Sequence, residues 1–143
     1  MIMKEDFVGY DLAVKLKEKG FKEKCIANYW EKINEHTPSF LVEDNMKEDV
    51  SILDLLSNHN SAEWSPFIDA PTISQVLKWL RKEKNIHIEV WWQTKYTAKN
   101  LKGFQFVVTP ICENPQSETD LELYCDYETA AIKGIEYVID NLI

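Results

Sequence analysis

Basic and aromatic side chains are interleaved between residues 78 and 102, and this combination is suited to binding chemistry. The segment carries seven basic and two acidic side chains, a net charge of +5, whereas the remainder of the chain carries −13. Its basic residues are Lys78, Arg81, Lys82, Lys84, Lys95, Lys99 and Lys102, and its aromatic residues are Trp79, Trp91, Trp92 and Tyr96. Aromatic rings stack on unpaired bases and lysines attract phosphates, so the pattern is typical of proteins that bind single-stranded nucleic acid.

The same residues also fit a surface that contacts another protein. Lysines on the outer face of a helix commonly serve solubility, and the acidic remainder of the chain repels nucleic acid beyond this segment. The alternation of the predicted strand 86–92 places Trp92 in the core beside Val90 and leaves Trp91 outside it. Tyr137 lies off the apolar face of the last predicted helix. Exposed aromatic side chains of this kind favour contact with a partner protein or with a second copy of the chain.

Three functional hypotheses remain open for these side chains. We expect a non-enzymatic accessory or protein-interaction protein, with an unidentified protein partner or a homodimer. Nucleic-acid binding through the segment 78–102 is the alternative. The third is inhibition of a host enzyme by charge mimicry, because the net charge is −8 and acidic residues recur at about every second position near the C-terminus. Those acidic residues are Glu118, Asp120, Glu122, Asp126 and Glu128. The candidate interaction residues are Trp91, Lys95, Tyr96, Lys99, Lys102 and Tyr137.

Side chains that perform catalysis or bind metals lack the spacing that such sites require. The three histidines and three cysteines form neither a CxxC pair nor an HExxH helix. The four glycines build no phosphate-binding loop of the GxGxxG or GxxxxGK type. Neighbouring carboxylates such as Glu43 and Asp44 lie in polar, loop-like stretches, whereas an acid–base pair needs two unlike environments. We therefore expect no enzymatic activity, no metal and no cofactor.

The cysteines and the N-terminal residues bear on the compartment. Cys25, Cys112 and Cys125 are odd in number, which disfavours the disulfide framework of a secreted domain, and we interpret them as small buried or half-buried side chains. The N-terminal residues lack the apolar core of a signal peptide, and no apolar stretch approaches the roughly 20 residues of a transmembrane helix. The sequence therefore predicts a cytoplasmic protein with no membrane association.

The elements that position these side chains begin with a helix over about 8–19, which ends where Gly20 follows a lysine-rich turn. The alternating segment 25–30 predicts a strand. Between residues 31 and 69 the pattern is irregular. This stretch allows a short strand near 40–42, a short helix near 49–57 and a polar loop at 57–61.

The second half of the chain has clearer periodicity. Thr72 stands three residues before Gln75, the spacing of a capping box, and a helical apolar face follows. Period-two alternation then predicts three strands, joined by short links and therefore antiparallel. These strands are 86–92, 104–110 and 121–125, with a loop at 93–102. A last helix over about 127–142, with Asp126 as its N-cap, presents one apolar face.

These elements predict an α+β fold in which helices pack on one face of a mostly antiparallel sheet, as a two-layer sandwich. At 143 residues, with no internal repeat, the chain fits a single domain spanning 1–143.

The run APTISQVLKWLR followed by IHI resembles a signature found in small proteins of phages, prophages and mobile elements of gut bacteria. Those proteins are similar in layout: a first helix of the type LAVKLKEKGF, a short strand, the APT-initiated helix, an antiparallel segment and an acidic-start helix. The resemblance spans about two thirds of the chain. It implies a mobile-element context and an α+β fold, and it implies no established activity, cofactor or catalytic residue.

Overall fold

The computed structural model describes residues 7–30, 39–40, 60, 66–95 and 101–143. In chain order its elements are α1 (Tyr10–Glu18), β1 (Ala27–Trp30), β2 (Ser39–Phe40), β3 (Phe67–Asp69), α2 (Ile73–Glu83), β4 (Ile86–Lys95), β5 (Leu101–Pro110) and α3 (Tyr127–Asn141). Every strand pair is antiparallel, which together with the helices confirms the predicted α+β class. None of the helices within the described ranges has the length and hydropathy that a membrane span requires.

The chain separates into two compact units, Met1–Gln75 and Val76–Ile143, and the strands form one small sheet in each. The predicted single sheet is thus replaced by two sheets in the described part of the chain. The single-domain organisation stays a prediction from the sequence.

The sheet of the first unit has β1 at its centre. β2 pairs with it through Ala27 opposite Phe40, and β3 pairs with it through Tyr29 opposite Ile68. The Tyr29 hydroxyl donates a hydrogen bond of 2.6 Å to the Val8 carbonyl, and burial raises the pKa of Tyr29 to about 12. The central strand is therefore tied both to its neighbours and to the residues that precede α1.

Helix α1 confirms the predicted helix and its glycine cap. Leu12 and Leu16 are buried on the inner face. Gly20 adopts φ +89°, its amide donates to the Lys17 carbonyl, and the Phe21 amide donates to the Leu16 carbonyl. These two bonds form a Schellman motif, which requires a left-handed residue that glycine adopts without strain.

A buried polar pair in the first unit was not predicted. Asp69 in β3 is fully buried, and its side chain accepts a 2.9 Å hydrogen bond from the Asn60 amide. The Asn60 side chain accepts a bond from the Asp69 amide and donates one to the Phe21 carbonyl. Asn60, which we expected in a polar loop at 57–61, is thus buried. The irregular pattern of this stretch also gave no indication of strand β3.

The capping box of helix α2 is present as predicted. The Thr72 hydroxyl accepts a hydrogen bond from the Gln75 amide at 3.2 Å, and the Thr72 amide donates to the Gln75 side chain at 3.0 Å. The helix buries Val76, Trp79 and Leu80. The sequence pattern placed Trp79 on the flank of the apolar face of this helix, but its large ring is buried.

In the second unit β4 and β5 form a hairpin that is longer than predicted. The register pairs Ile86 with Pro110 at one end and Lys95 with Leu101 at the other. The predicted loop at 93–102 is therefore wrong at both ends. The residues at this end of the hairpin have polar side chains, but strand pairing depends on backbone hydrogen bonds. Their polarity therefore did not indicate a loop.

The predicted third strand at 121–125 is also wrong, although its chain does lie beside β5. Two isolated bridges join Phe104 to Tyr124 and Val108 to Glu118. Glu118 and Tyr124 are six positions apart in the chain, whereas their partners Val108 and Phe104 are only four positions apart. The two segments therefore cannot form a continuous ladder. The segment with the two extra positions contains Leu121, whose backbone adopts φ +65°.

Helix α3 packs against this hairpin. Asp126 is its N-cap, as predicted, and accepts a 2.6 Å hydrogen bond from the Thr129 amide. The helix lies close to the strands at Gly134, where an added Cβ would be 2.9 Å from Ile88 Cγ2 and 3.2 Å from Phe106 Cβ. One face of the hairpin is thereby covered by a helix.

Candidate interaction site

The hairpin of the second unit has one occupied edge and one open edge. β5 meets the segment that contains Glu118 and Tyr124, through the two isolated bridges. On the other side, no strand in the described part of the chain pairs with the outer edge of β4. Ten residues at about 3.4 Å each give this edge a length of roughly 34 Å.

The direction of the backbone groups along this edge follows from the bonds on the far side of β5. The amide and carbonyl of Phe104 bond to Tyr124, and those of Val108 bond to Glu118, so both residues point away from β4. In an antiparallel ladder these groups alternate in direction from one residue to the next. The β4 residues opposite them in the register therefore also point outward. The outward residues of β4 are Ile86, Ile88, Val90, Trp92 and Thr94.

An open cleft of about 630 Å³ lies along this edge. Its lining includes six consecutive residues of β4, from His87 to Trp92, together with Leu77, Arg81 and Tyr127. Consecutive residues of a strand point to opposite faces, so a cleft that contacts all six follows the strand edge itself. The cleft therefore presents backbone groups as well as side chains.

Two tryptophans dominate the surface of the cleft. Trp91 is 53% exposed and Trp92 is 58% exposed. The exposure of Trp91 agrees with its predicted position, whereas the prediction that Trp92 packs in the core beside Val90 is wrong. The Trp92 ring forms a T-shaped pair with the Phe104 ring, at 5.0 Å between centroids, and Phe104 forms a second such pair with Tyr127, the first residue of α3. Trp92 therefore lies near the N-terminal end of α3, and the helix leaves its ring exposed.

Glu89 orients the side chains of His87 and Trp91, which lie on the face of β4 opposite helix α3. One carboxylate oxygen accepts a 2.7 Å hydrogen bond from the Trp91 indole nitrogen, and the other lies 3.1 Å from Nε2 of His87. The remaining ring nitrogen of His87, Nδ1, is buried and has no hydrogen-bond partner among the described residues. A carboxylate bonded on both sides restricts the Trp91 ring to one orientation, which lowers the entropy lost when that ring binds a partner.

Arg81 brings a positive charge to the cleft. Arg81 is exposed, and within the described residues it forms neither an ion pair nor a side-chain hydrogen bond. The carboxylate nearest to it in sequence among the cleft residues, Glu89, is already bonded to His87 and Trp91. The guanidinium is therefore available to an external acceptor.

Of the other predicted interaction residues, those that the structure describes do not line this cleft. The Lys95 ammonium donates a hydrogen bond to the Leu121 carbonyl, and Lys102 is exposed on β5 opposite Thr94. Tyr96 and Lys99 lie outside the described residues. Among the predicted interaction residues within the described ranges, Trp91 alone lines the cleft.

Tyr137 is engaged by its own unit. Its hydroxyl donates a 2.6 Å hydrogen bond to the Glu118 carboxylate, and its ring lies 5.7 Å from that of Phe106. The bond to Glu118 raises the pKa of the Tyr137 hydroxyl. Tyr137 therefore fastens the segment beside β5 and does not line the cleft.

The five acidic residues considered for charge mimicry, here called the acidic ridge, partly serve internal contacts as well. They are Glu118, Asp120, Glu122, Asp126 and Glu128. The Tyr124 hydroxyl donates to Asp120, and burial together with this bond raises the pKa of Tyr124. Asp126 caps α3, and the Thr129 amide holds the pKa of its carboxyl below the usual range. With Glu118 bonded to Tyr137, three of the five carboxylates of the ridge accept hydrogen bonds within the chain.

Two of the three cysteines differ from the sequence interpretation. Cys25 is buried as expected, but Cys112 and Cys125 are exposed. Burial raises the pKa of the Cys25 thiol, and a hydrogen bond to Asp126 raises that of Cys125, so both favour the unreactive thiol form. Across the described ranges, no three histidine, cysteine or carboxylate side chains cluster as a metal site would require.

Comparison of the chain with protein-family models, with curated proteins and with solved structures gave no match in any of the three. The geometry of the cleft is therefore the basis for a functional proposal.

Sequence reasoning missed Arg81 and Tyr127 as partners of Trp91. The signal present was the basic, aromatic-rich segment, which contains Arg81 and both exposed tryptophans. Tyr127 carried no such signal, because it reaches the cleft from a helix that begins 35 residues after Trp92.

Proposed function

We propose that this chain is a non-enzymatic interaction protein that binds a partner protein through the cleft beside β4. The observation that carries the proposal is the presence of two half-exposed tryptophans beside an unpaired strand edge. Tryptophan and arginine are enriched among the residues that contribute most to protein interfaces. Folded proteins commonly protect a long strand edge, so an open one with aromatic side chains is suited to a partner.

The setting we propose is the cytoplasm of a bacterium that carries a mobile element. Support comes from the resemblance of the APTISQVLKWLR segment to mobile-element proteins and from the odd number of cysteines, which suits a reducing compartment.

The test is affinity capture from bacterial lysate with the tagged chain, with and without nuclease, at low salt and at about 0.5 M salt. We expect the chain to capture a protein that stays bound after nuclease treatment and at high salt. The Trp91→Ala variant should not capture that protein. Trp30→Ala is the matched control, because Trp30 is 44% exposed but lies in β1. Equal loss with both variants, or retention with Trp91→Ala, would contradict the proposal.

Single-stranded nucleic acid, bound through the segment 78–102, part of which lines the cleft, is a second candidate. A guanidinium beside exposed indole rings is an arrangement on which unpaired bases stack, and Arg81, Trp91 and Trp92 provide it. This candidate predicts capture that disappears with nuclease, falls steeply with salt and is lost when Lys95, Lys99 and Lys102 are replaced by glutamate.

Charge mimicry has weaker support from the geometry. Three of the five carboxylates of the expected ridge already accept hydrogen bonds from Tyr137, Tyr124 and Thr129. Carboxylates held in this way position a segment of the chain and offer less to the basic site of another enzyme.

A further inference from the structure

We propose that the partner contributes an extended segment that pairs with the outer edge of β4 as a third strand and carries an acidic side chain that binds Arg81. This inference rests on the proposed function and specifies how the cleft is used. An added strand gains affinity from backbone hydrogen bonds and specificity from side-chain pockets. The cleft along β4 supplies both.

The backbone supports strand addition because the outward groups are regularly spaced and pair with no other backbone group in the described part of the chain. Five alternate residues, from Ile86 to Thr94, direct an amide and a carbonyl away from β5. No proline or glycine interrupts β4, and its first lysine comes only at Lys95. Edge lysines, prolines and bulges are the features by which proteins prevent strand pairing. Between Ile86 and Thr94 the edge lacks all three.

The charges favour an acidic peptide over a second copy of the chain. Pairing two β4 edges would bring together two copies of the segment 78–102, each with a net charge of +5. The one acidic residue of β4, Glu89, accepts a hydrogen bond from its own Trp91 and lies 3.1 Å from its own His87, so less of its acceptor capacity is left for Arg81 of another copy. A partner segment with its own carboxylate satisfies the guanidinium, and carboxylate–arginine pairs are among the stronger hydrogen-bonded contacts.

The geometry also favours a polypeptide over a nucleic acid. The outward groups of β4 alternate as amide donors and carbonyl acceptors at the spacing of another strand. Apolar side chains on one face of the added strand would contact Trp92, and those on the other face would contact Trp91. A sugar–phosphate backbone has no amide donors with which to satisfy the carbonyls.

The probe for the experiment is a library of random peptides displayed on phage, selected against the folded full-length chain. We expect enriched peptides with an acidic residue among alternating apolar residues. Arg81→Glu should weaken the best peptide at least about tenfold, whereas Lys82→Glu, on the same helix but outside the cleft, should not. Peptides without acidic residues, equal effects of the two variants, or no enrichment would overturn the proposal.

Backbone pairing is tested with two N-methylated forms of the selected peptide, each methylated at a different alternate set of residues. Only one set faces β4 in a paired strand, so one form should lose at least about 100-fold in affinity and the other should bind nearly as well as the parent. Equal affinity of the two forms would overturn strand addition.

Amide hydrogen exchange followed by NMR gives an independent readout. In the free chain the amides of Ile88, Val90, Trp92 and Thr94 should exchange much faster than those of the residues between them, and the peptide should protect them. Protection that rises with protein concentration before peptide is added would reveal a dimer and overturn the acidic-peptide occupant. If peptide binding fails while Trp91-dependent capture persists, strand addition falls and the proposed function stands.

Discussion

At the scale of single residues, several aromatic side chains of the second unit are held by hydrogen bonds to carboxylates. Glu89 orients Trp91, Asp120 binds Tyr124, and Glu118 binds Tyr137. The acidic composition of the chain therefore serves internal positioning as well as solubility. The Arg81 guanidinium, by contrast, forms no hydrogen bond or ion pair within the described ranges. We therefore assign it to the proposed interface.

The N-cap of α3 has a stability effect that depends on pH. Because hydrogen bonds from Thr129 lower the pKa of Asp126, the folded state favours the ionised carboxylate. Its stabilisation is present above the unfolded-state pKa of about 3.9 and is lost as the pH falls through the lower, folded-state pKa. We expect Asp126→Ala to lower the melting temperature by a few degrees at pH 7, measured by circular dichroism.

Asp126→Asn separates the cap from its charge. Asparagine accepts the same hydrogen bond but does not ionise. The difference in melting temperature between this variant and the native chain should be constant near neutral pH and should narrow below about pH 4. A difference that widens on acidification would contradict the role assigned to the carboxylate.

At the scale of elements, the register of β4 predicts where proline is tolerated. The Gln93 amide points toward Gly103, whereas the Thr94 amide points outward. Gln93→Pro should therefore lower the free energy of unfolding by about 1–3 kcal/mol, because it removes a ladder bond. Thr94→Pro should change it by less than about 1 kcal/mol, since prolines are accepted where an edge amide faces solvent.

Urea denaturation of the two proline variants, followed by tryptophan fluorescence, measures this difference. A larger loss for Thr94→Pro than for Gln93→Pro would show that the outward residues have been assigned to the wrong set. The backbone argument for strand addition would then fail with it.

The contact between α3 and the hairpin depends on the absence of a side chain at Gly134. Replacing glycine by alanine within a helix normally stabilises by about 0.5–1 kcal/mol. Here the new methyl group would lie 2.9 Å from Ile88 Cγ2 and close to Phe106, both buried, and overpacking costs about 1–3 kcal/mol.

We therefore expect Gly134→Ala to be net destabilising by about 1–2 kcal/mol, measured by chemical denaturation. Lys133→Ala, one residue earlier and exposed, should remain within about 0.5 kcal/mol of the native chain. An alanine at Gly134 that stabilises the chain would show that α3 lies farther from the strands.

At the scale of the whole molecule, charge is distributed unevenly. The unit Val76–Ile143 carries eight basic and ten acidic side chains, yet its segment 78–102 has a net charge of +5. Long-range repulsion from the acidic remainder opposes nucleic acid, whereas a short acidic peptide contacts only the local field around Arg81.

Binding to an oligothymidylate should therefore be weak and should disappear between about 50 and 200 mM salt, measured by fluorescence anisotropy. The selected acidic peptide serves as the control, since its backbone hydrogen bonds are less sensitive to salt. Oligothymidylate binding that persists at about 0.2 M salt would favour the nucleic-acid candidate over the protein partner.

The sequence by itself determined the features that depend on neighbours along the chain. The Gly20 cap, the Thr72–Gln75 capping box, the Asp126 N-cap and the alternation of β4 each involve residues only a few positions apart. Local hydrogen bonds and side-chain periodicity leave a pattern that can be interpreted without the fold. The α+β class follows from these elements.

Only the tertiary structure decided which of the predicted surfaces is available. Trp92 is exposed because α3 begins at Tyr127, and Lys95 and Tyr137 are engaged because the segment 118–124 lies beside β5. The predicted helix at 49–57, like Tyr96 and Lys99, falls outside the described residues. Contacts between residues distant along the chain leave no local periodicity, so the open edge of β4 and its cleft emerged only when the strands were paired.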